Sequence, residues 1–193
     1  MGSYKYVILG GGLTAGYAAQ EFAKRGISAG ELCIVSAEET PPYERPPLSK
    51  DFLAGEENVA DILINEPDFY KENNIELKLG TAVTKVNLDK KQLFANGETI
   101  TYEKLLIATG ARPYTFDLPG ASLNNIFYLR KVGDAQQIRE QAQNAEKAVV
   151  IGGSLPTGQV VAITSPVSEC GVSDAEICLQ INGGNGPYTL TSD

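Results

Sequence analysis

The feature that most constrains this chain is a run of three glycines set between a short apolar strand and a helix with one apolar face. Tyr4 to Leu9 reads as a strand, and Gly10-Gly11-Gly12 follows without a gap. From Thr14 onward, Ala15, Ala18, Ala19, Phe22 and Ala23 recur at helical spacing, and Gly26 ends the helix. Leu32 to Ser36 is a second buried strand. Strand, glycine turn, helix and strand make a βαβ unit with a parallel pair. Within it, Gly10-x-Gly12-x-x-Ala15 matches the dinucleotide fingerprint. Gly10 permits the tight turn, Gly12 lets the backbone approach a pyrophosphate, and Ala15 lets the helix pack closely on the strand. The N–H groups at the helix mouth then face the phosphate charge. A ribose hydroxyl needs an acceptor just past the second strand, which Glu38 supplies, with Glu39 as its competitor.

Downstream, Pro41, Pro42, Pro46 and Pro47 exclude regular structure over Thr40 to Pro47 but stiffen it. Short helices are expected over Leu48–Leu53 and Pro67–Asn73. Strands are expected over Ile75–Leu79, Val83–Leu88, Gln92–Ala95 and Glu98–Tyr102, the last two joined by an Asn96-Gly97 hairpin turn. They form an antiparallel meander inserted after the βαβ unit. Leu105 to Ala108 returns to the parallel sheet and ends in Thr109-Gly110. After a crossover at Pro113–Gly120 come a helix over Gly133–Lys147 and a strand over Ala148–Ile151. Gly152-Gly153 then repeats the opening pattern, so a second dinucleotide-binding fold starts there. Leu155-Pro156-Thr157-Gly158 replaces the helix that should follow, and the remainder is rich in Ser, Thr and Gly. The expected fold is α/β: a Rossmann-like parallel sheet with an inserted β-meander, the start of a second dinucleotide-binding fold, and an atypical β-rich tail. The corresponding segments are 1–113, 114–154 and 155–193.

Composition removes several chemistries. The chain has no histidine, which excludes Ser-His-Asp and Cys-His catalysis and the usual zinc and haem ligands. Its three cysteines form no C-x-x-C pair, so a dithiol redox centre is not supported. A net charge of -8 without a basic stripe argues against nucleic acid as a partner. No signal-peptide pattern or spanning apolar run occurs, so a cytoplasmic protein without a membrane partner is expected.

Four stretches carry a resemblance. They are Tyr6 to Ala19; Pro42-Tyr43-Glu44-Arg45-Pro46-Pro47-Leu48-Ser49-Lys50; Leu105-Leu106-Ile107-Ala108-Thr109-Gly110-Ala111; and Tyr128-Leu129-Arg130. In this order, over residues 4–154, the chain resembles the FAD-dependent pyridine nucleotide-disulfide oxidoreductases. The similar group is that of the monodehydroascorbate reductases and of the ferredoxin and rubredoxin reductases related to apoptosis-inducing factor. The resemblance implies FAD as cofactor and NAD(P)H as electron donor. It implies a flavin that passes electrons to monodehydroascorbate or to a ferredoxin-type acceptor. Gly10, Gly12, Leu13, Thr14 and Ala15 would line the FAD pyrophosphate, and Glu38 would hold the ribose. Arg45 would offer its guanidinium fork to the cofactor. Lys50 would sit at the flavin ring as the catalytic cation, favouring the reduced anionic flavin. Val83 would meet the adenine through its backbone, Thr109 and Gly110 would close over the cofactor, and Arg130 would lie at the flavin edge. Gly152 and Gly153 would open the NAD site. The rigid proline frame favours these roles for Arg45 and Lys50 over a surface pairing with Glu44 and Asp51. Chains of this family are roughly twice as long, and no match to their second FAD segment occurs here. The expectation is an FAD half that is truncated or fused after Ser154. The rival reading is a non-catalytic Rossmann-like fragment acting as a binding module.

Overall fold

In a computed structural model, residues 2–115, 119–151 and 162–164 are described. The expected βαβ unit is present as β1 (Gly2–Leu9), α1 (Leu13–Arg25) and β2 (Leu32–Val35). The strands are parallel, with Tyr6 opposite Leu32 and Leu9 opposite Val35. A 3-10 turn (Pro46–Ser49), α2 (Asp51–Ala54) and α3 (Pro67–Glu72) follow. Next come β3 (Ile75–Lys78), β4 (Val83–Asn87), β5 (Gln92–Ala95), β6 (Glu98–Ile107) and α4 (Val132–Ala142). The first six strands form one sheet in the order β3-β2-β1-β6-β5-β4. β7 (Lys147–Val149) and β8 (Ala162–Thr164) form a separate antiparallel pair.

Three sequence expectations need correction. The antiparallel meander is present as β4, β5 and the start of β6, but the two strands expected on either side of Glu103-Lys104 are one. β6 pairs antiparallel with β5 from Glu98 to Thr101 and parallel with β1 from Ile100 to Ile107. Glu103 and Lys104 do not break it because both are exposed, past the last residue of β6 that pairs with β5. A charged pair is tolerated on a strand edge that faces water. Second, the proline stretch is irregular only as far as Arg45. Pro46 opens a helical turn, where a missing N–H costs nothing and the fixed φ is already suitable. Third, α4 stops at Ala142 rather than Lys147, because Gln143 to Glu146 add only one partly buried residue, Ala145. Asn96 and Gly97 do form the expected two-residue hairpin turn, with φ of 48° and 79°.

The sheet buries apolar side chains on both faces. Ile8, Leu32, Ile34 and Ile75 pack with Ala15 and Ala19 of α1 and with Tyr70 of α3. Val7, Cys33, Val35, Leu93 and Ile100 pack on the other face with Tyr4 and Tyr102. Each fully buried Leu, Ile or Val side chain contributes about 1.5–3 kcal/mol, so these clusters hold the carboxyl ends of β1, β2 and β6 in fixed register. A third cluster of Tyr43, Leu48, Phe52, Ile62, Val132 and Ala135 joins the proline arm and α2 to α4. No described helix is long and apolar enough to cross a membrane.

Cys33 is fully buried in the middle of β2. Burial, followed by the nearby Glu76 carboxylate, pushes its thiol up to about 12. At pH 8 its thiolate is therefore about a thousandfold scarcer than that of an ordinary thiol. Native protein treated briefly with iodoacetamide at pH 8 is expected to carry no label on the Cys33 peptide, with full labelling in denaturant. The unfolded chain releases this proton at lower pH than the folded chain does. The thiol's contribution to stability is thus intact below about pH 9 and declines as pH rises toward about 12.

Candidate dinucleotide-binding site

The three glycines each answer a different steric demand. Gly10 has φ +118°, and a Cβ there would stand 2.2 Å from the Ala108 carbonyl oxygen at the end of β6. A Cβ on Gly11 would stand 2.3 Å from Ser36 Oγ, just past β2. The turn is thus held between the carboxyl ends of its two neighbouring strands, where ligands bind in open parallel sheets. Gly12 differs. Its nearest neighbours are Arg45 Nη2 and Nε, 3.7 and 3.9 Å from where a Cβ would lie. Gly12 therefore opens onto one edge of a guanidinium, leaving a cradle that a side chain would fill.

α1 begins at that cradle. Gly12 caps it without a side-chain hydrogen bond, and its first turn holds no acidic residue. The N–H of Ala15 turns back to the Gly12 carbonyl at 3.0 Å, so the first-turn amides of Leu13 and Thr14 remain for a ligand. Both residues are exposed, whereas Ala15 is fully buried against the sheet. The positive end of the helix dipole is therefore uncompensated at the point where a diphosphate would lie. Gly16 gives a further close approach, since a Cβ there would meet Ile64 Cδ1 at 2.6 Å.

Arg45 reaches the cradle from the proline arm. Its Nη2 donates to Glu38 Oε1 at 2.9 Å, and its Nη1 donates to the Arg130 carbonyl at 2.6 Å and to Tyr43 Oη at 3.2 Å. The Arg45 and Glu38 side chains are only 23% and 17% exposed, so the pair is stronger than a surface bridge. Tyr43 Oη donates to the second Glu38 oxygen at 2.6 Å. Burial, then that hydrogen bond, pushes the phenol well above its ordinary range. The alternative pairing of Arg45 with Glu44 is not found: Glu44 accepts from Tyr17 Oη at 2.6 Å instead.

Structure also chooses between the two acids after β2. Glu38 turns inward to Arg45 and Tyr43, while Glu39 is exposed beside Gly80. Val83 opens β4 just after Gly80 and Thr81, whose amides bind the Glu38 and Ser36 carbonyls at 3.0 and 2.7 Å. The start of β4 is thereby fixed beside the Glu38 turn. Thr109 and Gly110 follow β6, both exposed, with Gly110 at φ +69°. A Cβ on Gly110 would lie 3.3 Å from Arg130 Nη2, so Arg130 spans from Gly110 to Arg45. Lys50 is exposed at the end of the 3-10 turn. Gly152 and Gly153 lie outside the described residues.

Two residues for which no role was expected, Ser36 and Tyr43, belong to this site. Ser36 is 2% exposed, fills the space left by the missing Gly11 side chain, and accepts the Glu38 amide on its Oγ at 3.1 Å. Tyr43 is 1% exposed and joins Glu38, Arg45 and the Val132 amide at one oxygen. The signal for Ser36 was its place at the end of β2, opposite the glycine turn. Tyr43 stands in the Pro42–Lys50 stretch that carries the resemblance, but nothing near it in the chain marks its hydroxyl for Glu38 or Val132.

An unobstructed helix mouth, an open glycine, a guanidinium edge and an inward acid together suit a diphosphate flanked by a ribose. Fold and site define a dinucleotide-binding α/β protein. Residues 4–173 match the pyridine nucleotide-disulphide oxidoreductase family. The sequence is 46% identical over 167 residues to monodehydroascorbate reductase 2 of Arabidopsis thaliana, covering 78% of this chain and 38% of that protein. Among solved structures, NADH:rubredoxin oxidoreductase from Clostridium acetobutylicum superposes with a TM-score of 0.69 at 33% identity, over 80% of this chain and 40% of that one. The putidaredoxin reductase of a covalent complex with putidaredoxin gives 0.65 at 33% identity, over 73% and 34%. The chain belongs to the pyridine nucleotide-disulphide oxidoreductases, a family of enzymes that use FAD and NAD(P)H. It spans about 38% of the length of the Arabidopsis relative.

The glycine geometry is directly testable. Gly10→Ala meets both a forbidden φ and a backbone oxygen, so it is expected to cost roughly 3 kcal/mol in urea unfolding. Gly26→Ala, at φ +68° with nothing within 4 Å, is expected to cost only about 1 kcal/mol. Equal losses would show that the contact with β6 does not constrain the turn.

Proposed function

We propose that this chain forms the FAD-binding part of an NAD(P)H-dependent oxidoreductase. In this reading a nicotinamide reduces the flavin, which passes electrons to monodehydroascorbate or to a ferredoxin-type acceptor. The observation that carries the reading is the Nε and Nη2 edge of Arg45 facing Gly12 at the uncapped mouth of α1. FAD supplies the hydride and electron chemistry; the chain supplies binding, orientation and charge. Gly10 sets the turn, Gly12, Leu13, Thr14 and Ala15 receive the diphosphate, and Arg45 neutralises it from the opposite side. Glu38 accepts from a ribose hydroxyl through lone pairs left over from Arg45 and Tyr43. The backbone at Val83 borders the adenine. Thr109 and Gly110 cover the cofactor, Arg130 flanks the flavin edge, and Lys50 is the cation assigned to the ring. Gly152 and Gly153 open the nicotinamide-binding segment, with residues 1–113 as the flavin segment and 114–154 as the crossover. A cytoplasmic location belongs to the same reading.

Two relatives support the two acceptor classes by name, a monodehydroascorbate reductase and a reductase joined to putidaredoxin. The rival reading is a non-catalytic Rossmann-like module that binds the flavin.

Purified chain mixed with excess FAD and desalted is expected to keep a flavin absorbance band. Arg45→Ala is expected to weaken FAD binding by at least about tenfold, the worth of a charge-assisted hydrogen bond. A colourless wild-type protein contradicts the cofactor assignment. Bleaching by NADH without oxygen supports the oxidoreductase reading for this chain, and a spectrum that stays oxidised supports the module.

A further inference from the structure

We propose that Tyr43 is a positioning residue whose hydroxyl holds the Arg45 guanidinium against the Gly12 turn, in the orientation that receives a dinucleotide diphosphate. The inference deepens the cofactor reading above and rests on it. An arginine side chain has many rotamers, and a freely moving one loses much of its binding free energy to entropy. Arg45 is not free. Nη1 is held by the Arg130 carbonyl and Tyr43 Oη, and Nη2 by Glu38 Oε1. Because the guanidinium is planar, these three contacts fix its plane and direct the Nε and Nη2 edge toward Gly12.

The Tyr43 oxygen has one proton and two lone pairs, and all three are used. The proton goes to Glu38 Oε2 at 2.6 Å, which fixes the carboxylate that holds Nη2. One lone pair takes Arg45 Nη1–H at 3.2 Å and the other takes the Val132 amide at 3.2 Å. Val132 is the first residue of α4, whose amide has no partner within its own helix. One hydroxyl therefore ties together the end of β2, the proline arm and the crossover helix. The ring is 1% exposed and packs with Leu48, Phe52 and Ile62, so its oxygen cannot drift. A core tyrosine that only fills space would need the ring and not this oxygen, and phenylalanine separates the two roles.

The test compares FAD affinity by flavin fluorescence in the wild-type chain, Tyr43→Phe, Arg45→Ala and the double variant, with melting temperatures alongside. Tyr43→Phe is expected to weaken FAD about tenfold, and to have no further effect once Arg45 is alanine. An unchanged affinity, or the same loss in the Arg45→Ala background, overturns the proposal in favour of a structural role. A second readout needs no cofactor: the Arg45 Nε–H resonance of the ligand-free chain, identified by its loss in Arg45→Ala. It is expected as a signal displaced from the free-arginine position that moves toward that position in Tyr43→Phe, and an unaltered signal overturns the proposal. Should the wild-type chain bind no FAD, the cofactor reading falls, and this resonance alone still decides the role of Tyr43.

Discussion

Arg45 brings a permanent positive charge to a place where less than a quarter of its side chain meets water, and the surrounding fold is arranged to satisfy it. A buried charge is tolerated only when paired and hydrogen-bonded. Here the partners come from three separate stretches of chain: Glu38 past β2, Tyr43 in the proline arm, and the Arg130 carbonyl ahead of α4. Removing any of them leaves part of the guanidinium's donor set without an acceptor. The site is therefore held by the same contacts that join the arm and α4 to the sheet, and binding geometry and folding are not separable at this point.

The glycine turn is the second half of that arrangement. Gly10 and Gly11 bring the turn against β6 and β2, and Gly12 leaves it open toward Arg45. A backbone that must pass this close to two neighbours can carry no side chains, so the exposed amides at the start of α1 follow from packing. Positive charge from Arg45 lies on one side of Gly12, and the first-turn N–H groups of α1 lie on the other. The chain's overall charge of -8 does not preclude such a site, because nearby groups dominate the local field.

Local patterns in the sequence made β1, α1 and β2 legible. Helical periodicity from Ala15 to Ala23, the stop at Gly26 and the Asn96-Gly97 turn each depend on residues within a few positions of one another. The motif glycines were also legible, because only glycine suits Gly10's φ of +118°. Long-range contacts were not. β6 is continuous because it exchanges one neighbour for another along its length, and no nearby residue signals that change. The bond from Arg45 to Arg130 spans 85 positions. That Glu38 turns to Arg45 and Glu39 to solvent depends on where the proline arm lands, which composition does not encode. Ser36 was read as the end of a strand, and its fit against Gly11 emerges only once β1 and β2 are side by side.

In the proposed cofactor reading, backbone amides at the mouth of α1 and the guanidinium of Arg45 grip the same diphosphate. Amide proton and nitrogen shifts followed while FAD is titrated into the chain test it most directly. The Gly12, Leu13 and Thr14 resonances are expected to move first and furthest, saturating together with the Arg45 Nε–H signal. Tight FAD binding that leaves these four resonances in place would contradict it.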